Sequence, residues 1–287
     1  MRGFVASWVL VVAVGCSSHD GSVHPISAKA YNSTACRESE ETWDSLQLRL
    51  RQLKQSFAVE VNISKTEITE SEISLEDVTE SDIATTVPFF VASVKSALGK
   101  MSPRFLELAK LKMISLGKNL TMRGQNQSGI AYYRSGQLLF DVGSFGCNTE
   151  YVESLISHEL FHLIHLTGPV GFAGDEKKWL SLNYDGFKYL EKTDPTRQLR
   201  LIFDHSWLGF VSEYSARNYK EDAAETFSAM TVTAAAKKVA DWILSDRYLK
   251  AKVDFLKTEL TNKVSDHYDE TYWAGIADGT LTQWQWR

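Results

Sequence analysis

The stretch that most constrains this chain is Ser157-His158-Glu159-Leu160-Phe161-His162-Leu163-Ile164-His165. It lies in a segment from Thr149 to Thr167 whose apolar residues (Tyr151, Val152, Leu155, Ile156, Leu160, Phe161, Leu163, Ile164) suit a mostly buried helix. Asn148 or Thr149 can cap its start, Glu150 and Glu153 suit its first turn, and Gly168-Pro169 ends it. On a helix His158 and His162 stand one turn apart on one face. Two imidazoles and a carboxylate are costly to bury without a partner. In H-E-x-x-H the partner is a metal ion, with the glutamate beside it as a base. The reading is therefore one zinc ion per chain on His158 and His162, with Glu159 as general base.

Zinc of this type needs a third protein ligand. His165 shares the face, but seven residues of helix separate it from His158 by about 10.5 Å along the axis, too far for one ion. H-E-x-x-H-x-x-G-x-x-H also fails, because His165 stands where the glycine belongs and Gly168 where the last histidine belongs. Downstream runs Phe210-Val211-Ser212-Glu213-Tyr214-Ser215-Ala216-Arg217-Asn218-Tyr219-Lys220-Glu221-Asp222-Ala223-Ala224-Glu225. From Tyr219 this reads as helix, with Glu221 and Glu225 on one face at i and i+4. One carboxylate can ligate while the other holds a histidine. On the residues alone, a solvated acidic first turn serves equally well.

These two motifs resemble those of a group of bacterial lipoproteins described as zinc-binding metallopeptidases. They also resemble the catalytic domain of anthrax lethal factor and its relatives, where Y-x-x-x-N-x-x-E-x-x-A-E follows H-E-x-x-H. Such proteins are gluzincins, with two histidines and a glutamate on zinc. The resemblance runs from about Gly129 to Met230 and is strong only at the two motifs. It implies His158, His162 and Glu221 as ligands, Glu159 as base, Tyr214 as the group that steadies the oxyanion, and Glu225 as the carboxylate behind a zinc histidine. Ala223 departs from it, standing where the lipoprotein group has an aromatic residue. The implied fold is α+β and zincin-like, mostly helical, with a small mixed sheet preceding the H-E-x-x-H helix. The implied activity is peptide-bond hydrolysis. The alternative is an exported zinc-binding or surface lipoprotein without turnover.

Residues 1–16 read as a targeting segment: Arg2, an apolar run from Phe4 to Val14 too short to span a bilayer, then Gly15-Cys16 in an imperfect lipobox. Cys16 is thus a lipidation candidate, the one expected link to a membrane. An ordinary signal peptide is the alternative, and either way the chain is exported. The remaining Cys36 and Cys147 would then pair as a disulfide. Asn32, Asn62, Asn119 and Asn126 lie in N-x-S/T sites, which matter only in a eukaryotic source. A net charge of −5 argues against nucleic acid as a partner. A peptide or protein substrate is the expected partner.

Residues 17–38 read as a tether and 39–128 as an N-terminal helical region. Within it, Trp43, Leu46, Leu50, Leu53 and Phe57 make one helix face. Residues 60–87 read as an acidic, solvated connector, with helices near 88–98 and 103–112 after it. Short strands are expected at 112–114 and 119–123. A hairpin of 130–133 with 137–142 turns at Arg134-Ser135-Gly136 and opens the catalytic region, 129–287. In zinc peptidases of this architecture an edge strand receives the peptide by strand addition; a hairpin that is only scaffold fits these residues equally well. Further helices are expected at 177–192, 196–203, 231–240 and 248–264, and the aromatic tail is expected to dock on the body.

Overall fold

The computed structural model describes residues 14–17, 36, 39, 41–63, 72–144, 146–194, 197, 199–200 and 202–281. Strand β1 (Val14–Ser17) comes first, then helix α1 (Trp43–Phe57), whose Leu46, Leu50, Leu53 and Phe57 are buried as their spacing requires. The stretch expected to be a solvated connector carries structure instead. It holds β2 (Glu60–Asn62), β3 (Ile73–Glu76) and the short helix α2 (Glu80–Ala84). Ile73 and Leu75 point inward while Ser74 and Glu76 point out, so the one acid of β3 lies on its outer face. Helices α3 (Thr86–Gly99) and α4 (Pro103–Ala109) follow, the latter with Ser102 as cap and Pro103 in its first turn.

The two short strands expected next are one strand, β4 (Met113–Met122). The hairpin is β5 (Gln125–Tyr132) with β6 (Gln137–Asp141), and Gly136 takes a positive φ of 70° at its turn. The sheet order is β1-β5-β6-β4-β2, with β3 on the far end of β4. It is mixed: β6 and β2 run parallel to β4, while β1–β5, β5–β6 and β3–β4 are antiparallel. Alternation sorts its side chains: Leu138 and Phe140 face the helices, while Leu139 and Ile130 meet Ile73 and Leu75 on the other side.

Behind the hairpin comes α5 (Thr149–Thr167), the H-E-x-x-H helix, with Asn148 as its cap. A Cβ on Gly168 would stand 2.5 Å from the Ile164 carbonyl, so the glycine lets the chain leave the helix at once. The helix expected over 177–192 is two short ones, α6 (Glu176–Ser181) and α7 (Leu190–Thr193), parted around Gly186, whose φ is 79°. No helix occurs among the described residues of 196–203. A 3-10 turn (Tyr214–Ala216) leads into α8 (Tyr219–Thr231), followed by α9 (Thr233–Trp242), α10 (Arg247–Lys263) and α11 (Glu270–Asp278). One continuous core runs from α1 to α11, with α5 at its centre against α3, α4, α8 and β5.

The aromatic tail docks on this body. Tyr272 donates its hydroxyl to the Lys100 carbonyl at 2.9 Å, and the Tyr268 hydroxyl accepts the Ser102 amide at 3.0 Å. Trp284 and Trp286 lie outside the described residues, as do all of segment 1–13 and most of 17–38. Cys36 and Cys147 form a disulfide, one residue before the cap of α5. Its closure of a long loop restrains the unfolded chain, and it fits an oxidising compartment. No helix among the described residues is long and apolar enough to cross a membrane.

Among the described residues, a lysine–carboxylate pair lies wholly inside. Lys252 of α10 meets Asp222 of α8 at 2.7 Å, both side chains fully buried, and also donates to the Gly209 carbonyl at 2.7 Å. Tyr189 donates to the same Asp222 oxygen at 2.8 Å. Removing one partner of such a pair strands a buried charge. Lys252→Ala is therefore expected to cost about 3–5 kcal/mol of stability, read as a lower midpoint in urea unfolding. A loss under about 1 kcal/mol would show that the pair contributes little.

Candidate metal centre

The centre is built where α5 crosses α8. On α5 the one-turn spacing stacks His158 and His162, their Nε2 atoms 2.9 Å apart. On α8, Asn218 caps the helix by accepting the amides of Lys220 and Glu221 at 2.9 and 3.1 Å. That cap sets the first turn so that Glu221 and Glu225 face α5, while Asp222 turns toward α10. Glu221 Oε2 lies 3.1 Å from His158 Nε2 and 3.3 Å from His162 Nε2.

Three donor atoms thus form a triangle with edges of 2.9, 3.1 and 3.3 Å. Zinc bonds of about 2.0–2.1 Å in a tetrahedron hold their ligand atoms about 3.3 Å apart, so the donor set has the dimensions and the chemistry for that ion. Among the described residues, His158, His162 and Glu221 are the group of histidines and acids able to hold a metal. His158 Nδ1 lies 2.9 Å from Glu225 Oε1. A carboxylate only accepts, so Nδ1 carries the proton there and Nε2 is left to point its lone pair into the triangle.

The electrostatics follow from burial. His158, His162, Glu221 and Glu225 are each no more than 4% exposed, and Glu159 is fully buried. Burial alone would raise the pKa of Glu221, but the imidazoles of His162 and His158 outweigh it and hold the carboxyl well below the usual range. Burial pushes His162 down, with Glu221 working against it. Burial thus favours the neutral form of His162, the form in which an imidazole can bind a metal.

Glu159 projects toward the sheet. A Cβ on Gly129 of β5 would stand 3.0 Å from Glu159 Cγ, so the bare backbone there makes room for this side chain. Tyr214 comes from the 3-10 turn, 4% exposed, its ring 6.2 Å from that of His158. Its amide donates to the Arg200 carbonyl at 3.2 Å, which anchors the turn. His165 stays out of the triangle and packs against Phe161 and Tyr219. His205 lies apart from it, paired with Asp246 at 2.8 Å. Cys16 lies in β1, beside β5.

Sequence reading missed three contributors: Gly129, Asn218 as the cap, and Ser212, whose hydroxyl donates to Glu225 Oε2 at 2.7 Å. A glycine inside a strand pattern and an asparagine before a helix were the available signals for the first two. Nothing in the sequence marks Ser212 as touching Glu225.

No protein-family profile matches the chain, and neither does any curated protein. A solved structure from Bacteroides caccae, described as a "putative zinc-binding metallo-peptidase", aligns over 86% of this chain and 98% of that one, at 16% identity and a TM-score of 0.45. A likeness this loose says nothing about the site, which stands on its own geometry.

His165 supplies a test of the packing around the centre. Burial takes its pKa to about 4, with the nearby His162 adding to the effect and a backbone bond to Gly174 opposing it. An unfolded histidine binds its proton near pH 6.5, so the unfolded chain takes up more protons below that value. The contribution is present above pH 6.5 and is lost as pH falls toward 4. Urea midpoints of the metal-free chain are expected to drop across that window, and to drop less steeply for His165→Phe.

Proposed function

We propose that this chain is a zinc metallopeptidase of the gluzincin type, exported from the cytoplasm and acting on a peptide or protein substrate. The observation that carries the reading is the buried His158–His162–Glu221 triangle, with Glu159 next along α5 and Tyr214 beside His158. His158, His162 and Glu221 would hold one zinc ion, and Glu225 would fix the tautomer of His158. When bound, the ion supplies Lewis acidity and a water acidic enough to ionise near neutral pH.

The remaining work falls to the chain. Glu159 accepts the proton of the attacking water in its dry setting and returns it to the leaving amine. Tyr214 donates its phenolic hydrogen to the oxyanion that develops on the scissile carbonyl. Neither group is needed merely to hold a metal, which favours turnover over a binding role. An extended peptide has a natural place along β5. The chain's own Val14–Ser17 pairs there, with Gly15 opposite Ile130, one residue from the glycine beside Glu159. If residues 1–15 leave on export, the stretch of that edge paired with Val14 and Gly15 is released for a substrate strand. Anchoring through Cys16, if it is lipidated, would place the enzyme at the cell envelope.

Elemental analysis of the purified chain is expected to give one zinc, lost in Glu221→Ala. Glu159→Gln is expected to keep the zinc and lose turnover on a peptide library by a factor of about a hundred or more. A zinc-free native chain after refolding with metal would overturn the metal centre. Zinc with no cleavage of any peptide by the native chain would leave the exported zinc-binding protein as the better reading.

A further inference from the structure

We infer that Ser212 is a positioning residue that ties the Tyr214 turn to the metal ligand His158 through Glu225. This rests on the metal reading above and extends it to a residue outside the ligand set.

Ser212 and Ser215 are both fully buried. Ser212 Oγ lies 2.7 Å from Glu225 Oε2, and Glu225 Oε1 lies 2.9 Å from His158 Nδ1. The carboxylate accepts at both oxygens, so the single Ser212 hydrogen is committed to Glu225. Two further groups then find Ser212 Oγ as acceptor: the Ser215 amide at 3.2 Å and the Ser215 hydroxyl at 3.0 Å. One donor and two acceptor sites exhaust what a serine hydroxyl has. The direction of every bond is thereby fixed, from Ser215 to Ser212 to Glu225 and from His158 to Glu225.

Two consequences follow. Both oxygens of Glu225 are pinned, so its carboxylate cannot swing away from His158, whose ring must present Nε2 at a fixed angle. Ser212 also closes the turn that holds Tyr214, since its hydroxyl receives the amide of the residue just after that tyrosine. Ligand orientation and oxyanion donor are set by one oxygen atom. An alanine at 212 would leave Glu225 one anchor short and strand the buried Ser215 amide.

The test is a double-substitution cycle on the disulfide-intact chain: Ser212→Ala, Glu225→Ala and the pair. Each is read as the zinc dissociation constant against a competing chromophoric chelator, with circular dichroism of the metal-free chain as a check on folding. Ser212→Ala is expected to weaken zinc binding about tenfold, the lower end for partners that orient metal ligands. In the Glu225→Ala background the same change is expected to have almost no further effect, because its route to the metal is gone. Native zinc affinity in Ser212→Ala, even with lowered stability, overturns the inference and leaves the metal centre standing. So do additive effects in the cycle. A parent chain that takes up no zinc overturns the metal reading and this inference together. If Ser212→Ala does not fold, Ser212→Cys, close in volume and a poor donor, takes its place in the cycle with the same criteria.

Discussion

Charged and ionisable groups between α5 and α8 set the terms for the rest of the structure. Two imidazoles and two carboxylates sit there almost out of reach of water. Removing such groups from solvent is costly unless each finds a partner. The crossing of α5 and α8 therefore has to be held closely, because a small slide would separate His158 from both Glu221 and Glu225. The capping of α8 by Asn218 and the closely packed core around α5 supply that control.

A second layer of polar anchors surrounds the first. Asp222 follows Glu221 by one residue and points the opposite way, into Lys252 and Tyr189. Lys252 also holds the Gly209 carbonyl, and Asp246 caps α10 while binding His205. The segment from Phe203 to Arg217 has no regular structure except its 3-10 turn, yet these bonds and the Ser212 hydroxyl fix its course. It delivers Tyr214 to the centre. A loop that holds a side chain beside a buried centre needs such anchors, since it has no ladder of its own to hold it.

The small sheet has a different part. Its hairpin brings Gly129 against Glu159 and leaves β5 at the side where β1 pairs. The face away from the helices is covered by β3, which the acidic composition of its segment concealed. Alternation was present there, Ile73 and Leu75 against Ser74 and Glu76, but four residues are too short a run to stand out among eight acids.

Local rules were enough for the long helices, the hairpin and the pairing of His158 with His162, because a helix or tight turn is set by residues a few positions apart. The disulfide was legible from compartment and cysteine count. The glutamates were legible as a pair on one face, and resemblance alone ranked Glu221 over Glu225. Which of them reaches both imidazoles was decided by the crossing of α5 over α8, a contact between segments about sixty residues apart. The short helices flanking Gly186, the strands in the acidic stretch, and the Ser212–Glu225 bond were likewise decided in three dimensions. Each depends on burial against distant partners, and sequence periodicity records which face is buried but not what lies against it.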